Sequence, residues 1–187
     1  MKIKKNTVLT IDQYINEALY NNKFGYYMKN NPFGKNGDYI TSPNISILFS
    51  EMIAIWIISF WENLKYPKKF NLIELGGGNG EMIKQILNTF ENFPLFQNCC
   101  KIHILEKSTY LKNIQKQNLK NKNIKWLKNL NEISNRPNIF IANEFFDALP
   151  IKQFIKKEQK WYERNIKFSK INKPEFLNIL TNIKKFE

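Results

Sequence analysis

Between Phe70 and Glu81 the chain reads Phe-Asn-Leu-Ile-Glu-Leu-Gly-Gly-Gly-Asn-Gly-Glu. A short apolar run carrying one carboxylate, Glu74, breaks into glycine at Gly76, Gly77, Gly78 and Gly80. Glycine accepts a positive φ and lets backbone approach a ligand closely. A helix opening at Glu81 would add unpaired N–H groups and the positive end of its dipole. Spacing selects the ligand. A dinucleotide fingerprint is G-x-G-x-x-G, but counting from Gly76 puts Glu81 at the third glycine position. The pattern is E-L-G-x-G-x-G, with its acidic residue on the strand ahead of the turn. It suits a ligand with a charged amino-acid moiety and no pyrophosphate, which points to S-adenosylmethionine.

Two other groups fall where such a ligand would lie. Glu106 ends the apolar run Lys101–Glu106, and a carboxylate at the end of a second strand can accept both hydroxyls of an adenosine ribose. Its plainer alternative is a solvated strand end. Asn143-Glu144-Phe145-Phe146-Asp147-Ala148-Leu149-Pro150 follows a fourth apolar run. Asn143 is placed with the cofactor, while Glu144 and Asp147 could pair with a cationic substrate group, a guanidinium being held bidentately. The alternative is a helix start, with Asn143 as cap and the acids on the dipole.

The elements that must position these residues alternate. Phe70–Leu75, Lys101–Glu106, Ile124–Leu127 and Asn138–Ala142 read as strands, and Glu81–Phe90 and Tyr110–Leu119 as helices between them. That order implies a parallel sheet, with ligands at the carboxyl ends of its strands. Ahead of it, Thr10-Ile11-Asp12-Gln13 has capping-box spacing and starts a helix through Leu19. Ile45–Asn63 reads as a buried core helix, its uncharged stretch falling short of the ~20 residues a bilayer span needs. After Pro150, Ile151–Lys156 and Trp161–Phe168 read as an antiparallel hairpin. Pro174 is expected in the first turn of a final helix reaching Lys184.

Composition narrows the classes. A chain of 187 residues with 43% hydrophobic residues is expected to be one domain with a sizeable core. We divide it into an N-terminal helical or lid segment (1–66), a cofactor-binding core (67–150) and a hairpin with a C-terminal helix (151–187). The net charge of +13 is almost all lysine, Arg136 and Arg164 being the only arginines. A specific nucleic-acid reader would use more arginine, so no specific nucleic acid is expected as partner. Adjacent Cys99 and Cys100 make neither a disulfide framework nor a metal-ligand spacing, and a reducing compartment follows. The single histidine, His103, leaves no multi-histidine metal site and reads as structural. Met1–Lys5 has no apolar stretch behind it, so the cytoplasm is the default, or the mitochondrial matrix in a eukaryote.

Five segments occur together in a known order: Phe24-Gly25-Tyr26-Tyr27, Gly37-Asp38-Tyr39-Ile40-Thr41-Ser42-Pro43, Glu74-Leu75-Gly76, Asn143–Pro150 and Trp161-Tyr162-Glu163-Arg164. In these the chain resembles the MidA family, which includes the mitochondrial complex I assembly methyltransferase. The resemblance implies an α/β, Rossmann-like methyltransferase fold with S-adenosyl-L-methionine as methyl donor. It implies a protein arginine as acceptor and a respiratory complex I subunit as protein partner. Gly37, Asp38 and Thr41 would wall the cofactor, Glu106 would hold the ribose, and Glu144 and Asp147 would orient the guanidinium. The chain departs from the family at Gly77 and Asn79, where a proline and an arginine are common, and at Asn44, where an acid usually stands. It also shows no Asp-Tyr-Gly element after Arg164. The fold is therefore expected to be incomplete: four parallel strands, the last with an unpaired edge, plus the hairpin and an N-terminal helical extension. The alternative to an enzyme is a truncated, non-catalytic binding or assembly protein on the same fold. A nicotinamide oxidoreductase is disfavoured by the glycine spacing.

Overall fold

A computed structural model describes residues 6–34, 37–170 and 173–182. In chain order it holds β1 (Val8–Thr10), α1 (Ile11–Tyr20), α2 (Tyr26–Lys29), α3 (Ser42–Ile45), α4 (Ile47–Asn63), β2 (Phe70–Leu75), α5 (Glu81–Phe90) and α6 (Pro94–Cys99). There follow β3 (Cys100–Leu105), α7 (Thr109–Asn118), β4 (Ile124–Leu127), β5 (Asn138–Ile141), β6 (Phe154–Lys157), β7 (Lys160–Lys170) and β8 (Lys173–Thr181). The elements form two compact units, residues 30–145 and residues 1–29 with 146–187.

The 30–145 unit is an α/β layer built on a four-stranded parallel sheet of order β4-β3-β2-β5. The central strand β2 is buried along most of its length, as a parallel strand covered on both faces must be. Glu74 lies opposite Ile104 of β3 and Ile141 of β5. Among the described residues β5 pairs only with β2, so its outer edge is open. Helix α5 turns Met82, Ile83, Ile86, Leu87 and Phe90 inward, the i, i+3/i+4 stripe expected of an amphipathic helix. They share a core with Phe70, Leu72, Ile104 and Ile139. Phe96 sits among aromatic rings there, its centroid 4.5 Å from Phe90, 5.1 Å from Phe70 and 5.4 Å from Trp61.

Helix α4 refines one expectation. Ser50, Ala54, Ile57, Ile58 and Trp61 are buried, but Leu48, Met52 and Trp56, spaced four residues apart, are 64%, 67% and 56% exposed. The helix is apolar all round, so its sequence gives no polar side to mark which face packs. It gives one face to the core, through Ala54, Ile57, Ile58 and Trp61, and leaves the other exposed. No helix among the described residues is long and apolar enough to cross a membrane.

The second unit is organised by the long strand β7. By register, β1 and β6 lie end to end along one edge of β7 and β8 runs along the other, all antiparallel. The β6–β7 hairpin turns at Glu158 and Gln159, with φ of 46° and 60°, the left-handed pair that a two-residue type I′ loop requires. Helix α1 starts where expected, the Thr10 N–H donating to Gln13 Oε1 at 3.1 Å. Its Ile11 is buried with Ile166 and Phe168 of β7. Among the described residues the expected final helix is absent, its end at Lys184 lying outside them: Pro174 lies in β8, opposite Phe168 beside a register shift. Its missing N–H is tolerated on an edge strand, and β7 offers a long backbone edge that outweighs the proline's helix-start preference. The three-residue β1 is likewise new, its pairing partner lying far along the chain.

Candidate functional site

The glycine turn leaves β2 at its carboxyl end. The Gly76 N–H donates to the Leu105 carbonyl at 2.9 Å, extending the β2–β3 ladder by one bond before the chain turns. Gly76, Gly78 and Gly80 all have positive φ, at 69°, 54° and 84°. Gly80 stands at the N-cap of α5 in the left-handed conformation, so the turn delivers the chain directly into a helix N-terminus. A Cβ at Gly76 would lie 2.5 Å from the Phe145 ring. One at Gly77 would meet Glu74 Oε2, Ile104 and Gln115 Nε2 at 3.1–3.2 Å. Conformation requires glycine at 76; crowding favours it at 77.

Two carboxylates flank the turn. Glu74 is 2% exposed, and its Oε2 is buried without a hydrogen-bond partner. Burial, with the charge of Glu106 as a second cause, pushes its carboxyl up to about 8. Glu106 follows β3 directly. Its Oε1 accepts from the Ser108 N–H at 2.8 Å and its Oε2 from Gln115 Nε2 at 3.1 Å. Burial raises the Glu106 carboxyl, while those bonds and the nearby Lys112 charge oppose the rise.

The segment before α4 reaches the turn from another side. Gly37 could carry no side chain, since a Cβ would clash with the Pro32 carbonyl oxygen. The Phe33 ring stands 3.4–3.5 Å from where a Gly78 Cβ would be and packs edge-on against Tyr39. Asp38 is exposed and Thr41 buried. Asn44 Nδ2 donates to Thr41 Oγ1 at 2.9 Å, and Asn79 Nδ2 donates to Asn44 Oδ1 at 3.2 Å. Asn44 and Asn79, the two positions at which the resemblance leads one to expect an acid and an arginine, therefore meet in one neutral contact.

Asn143 and Glu144 follow β5 in a loop, Glu144 exposed with φ of 50°. Asn143 caps no α-helix; a single 3-10 turn, Phe146–Ala148, comes after it. Phe145 folds back over Gly76. Asp147 is exposed on the 3-10 turn and belongs to the other compact unit, where the Ala148 carbonyl accepts from the Tyr20 hydroxyl at 2.9 Å. Glu74, the glycines and Glu106 are thus gathered within one unit; Asn143 and Glu144 share that unit, and Asp147 does not. His103 stands outside the gathering, buried with Nε2 3.2 Å from Asn71 Oδ1. Sequence reasoning set Phe145 at the mouth of the site within its segment but gave it no role of its own, and it passed over Phe33 and Gln115. Only Gln115 left a signal: it interrupts the apolar stripe Leu111, Gln115, Leu119 at helical spacing.

Residues 52–186 match the family described as "Putative S-adenosyl-L-methionine-dependent methyltransferase". The chain belongs to this family. It is 36% identical over 186 residues to the mitochondrial protein arginine methyltransferase NDUFAF7 of Xenopus laevis, covering 87% of this chain and 43% of that protein. It is 33% identical to the human protein of the same name, covering 87% and 42%. The chain thus spans less than half the length of these curated relatives. In fold it is similar to a Burkholderia thailandensis protein crystallised with S-adenosyl-homocysteine, with a TM-score of 0.79 at 20% identity, covering 95% of this chain and 47% of that one. S-adenosyl-L-methionine is the cofactor of this methyltransferase family, and the residues present suit it. The orphaned Glu74 oxygen, the glycine backbone of the turn and the Glu106 carboxylate match an ammonium, an amino-acid backbone and a ribose diol in chemistry.

Proposed function

We propose that this chain is the cofactor-binding part of a methyltransferase acting on an arginine of a protein, in a reducing compartment such as the bacterial cytoplasm or the mitochondrial matrix. One observation carries the reading: a glycine turn with three left-handed glycines stands between the buried Glu74 and the half-buried Glu106 at the carboxyl ends of adjacent parallel strands. The acceptor is taken from the relatives' names, and a respiratory complex I subunit is the partner that the family resemblance suggests. Gly76, Gly78 and Gly80 admit the amino-acid portion of the cofactor, with Glu74 beneath it, and Glu106 accepts the ribose hydroxyls. Gly37, Asp38 and Thr41 wall the site, and Asn143 borders it. Glu144 and Asp147 orient a guanidinium and receive its proton. S-adenosyl-L-methionine, when bound, supplies a methyl group made electrophilic by its sulfonium. The chain's own contribution is alignment and exclusion of water.

A second reading, a non-catalytic binding or assembly protein on the same fold, draws on the open β5 edge and the exposed apolar face of α4. Calorimetric titration of residues 1–187 with S-adenosyl-L-methionine separates the two. Saturable binding, abolished by Gly78→Val because a β-branched residue resists a φ of 54°, supports the first reading. A folded chain that binds nothing sinks it and leaves the second.

A further inference from the structure

Gln115 lies on α7 between Leu111 and Leu119, two apolar residues at helical spacing that are both buried. It is itself 0% exposed. A primary amide in that place is unfavourable unless its hydrogen bonds are all made, and a leucine would fill the stripe without that requirement. The amide is satisfied at both ends. Nε2 donates to the Gly78 carbonyl at 2.9 Å and to Glu106 Oε2 at 3.1 Å, while Oε1 accepts from Trp126 Nε1 at 2.9 Å. Two acceptors at one end and a donor at the other fix its orientation, since the flipped amide would lose all three bonds. Through this one side chain the middle of the glycine turn is tied to the carboxylate that follows β3. A second tie runs parallel to it, Asn118 Nδ2 donating to the Asn79 carbonyl at 2.9 Å, but it is exposed and touches no carboxylate.

We propose that Gln115 is a positioning residue for cofactor binding, holding the Gly78 turn and Glu106 at a fixed separation before the ligand arrives. The proposal rests on the reading of this site as the S-adenosyl-L-methionine site. The two groups it joins serve opposite ends of such a ligand, the amino-acid portion and the ribose. Setting their distance in advance removes an ordering cost from binding. The same Nε2 bond favours the ionised form of Glu106, the form with most capacity to accept from a diol.

The test is calorimetric titration of residues 1–187 with S-adenosyl-homocysteine, across mildly acidic to mildly alkaline pH, with thermal melts confirming folding. Gln115→Met keeps the length and volume and removes every bond. The dissociation constant is expected to rise roughly ten- to a hundredfold, the loss appropriate to two hydrogen bonds of which one meets a charge. Gln115→Glu sets a carboxylate against Glu106 and the Gly78 carbonyl. It is expected to bind as poorly as Gln115→Met at alkaline pH and to recover toward wild type as pH falls and a proton bridges the carboxyl pair. Gln115→Met shows no such recovery. Glu74 and Lys112, the other ionisable groups facing Glu106, are present in all three proteins, and Gln115→Met, which adds no carboxyl, reports their share of the pH profile. Folded Gln115→Met with wild-type affinity, or Gln115→Glu without recovery in acid, overturns the proposal while leaving the site's reading intact. Wild-type protein that binds no S-adenosyl-homocysteine removes the reading, and the proposal with it.

Discussion

Replacing Glu74 by glutamine should make the ligand-free protein more stable, by an amount that depends on pH. The Glu74 carboxyl is buried beneath the glycine turn with one oxygen unpartnered, and burial together with the Glu106 charge raises it from an ordinary 4.5 to about 8. The folded state therefore keeps a proton that the unfolded chain has released. A group raised in this way costs nothing below its unfolded pKa, and its cost grows as pH rises, levelling off above about 8. Each pH unit in that window is worth ~1.4 kcal/mol, so at neutral pH the cost approaches about 3 kcal/mol. Glutamine imitates the protonated acid and escapes this cost. Its amide still lacks an acceptor where Glu74 Oε2 has no partner, which returns about 1 kcal/mol. Glu74→Gln should thus be slightly less stable than wild type near pH 4.5 and more stable by about 2 kcal/mol at neutral pH. Denaturant unfolding of both proteins across that range measures the difference; the buried His103 is common to both, and relief of the Glu106 repulsion adds to the gain with the same sign. A difference that does not change with pH would refute the reasoning, because it would mean that the folded state holds Glu74 ionised.

Two further substitutions test the turns that carry the fold. Gly76→Ala combines a φ of 69° with a Cβ placed 2.5 Å from the Phe145 ring, and should destabilise by about 2–3 kcal/mol. Adding Phe145→Ala should recover the steric share but not the backbone share, a coupling that a double-mutant cycle in denaturant measures. At the β6–β7 hairpin, Glu158→Asn with Gln159→Gly supplies the residues that two left-handed positions favour. It should stabilise the chain by about 1 kcal/mol in thermal or denaturant unfolding.

Much of the sheet is legible in the sequence because its signals are local. Phe70–Leu75 and Glu81–Phe90 have the bounds expected of them, since an apolar run ending in glycine and a 3.6-residue stripe each announce one element. Three features are not local. The packed face of α4 cannot be told from a helix apolar on every side. Strand β1 has three residues and acquires its meaning only from Asn165–Lys167. Strand β8 contains a proline at a position where a helix could begin, and only the length of β7 decides against the helix. Each time a partner distant in sequence overrides a local preference.

The candidate site divides along the same line. Glu74, the glycines and Glu106 are readable because each sits at a strand end, where the connectivity of a parallel sheet obliges a ligand to lie. What holds them is not readable, because it arrives from three other segments. Phe33 closes on Gly78, Phe145 covers Gly76, and Gln115 joins Gly78 to Glu106. An aromatic in a loop carries no address in sequence, whereas a glutamine within an apolar stripe does, since burying it demands partners. Asn44 and Asn79 make the point most sharply. Considered singly, each is a lost charge in a site expected to need it. Hydrogen-bonded at 3.2 Å, they are one contact from which both charges are missing. The turn is then tied to the Thr41 segment by a bond between two neutral side chains, which adds no unpaired charge of its own beside Glu74 and Glu106.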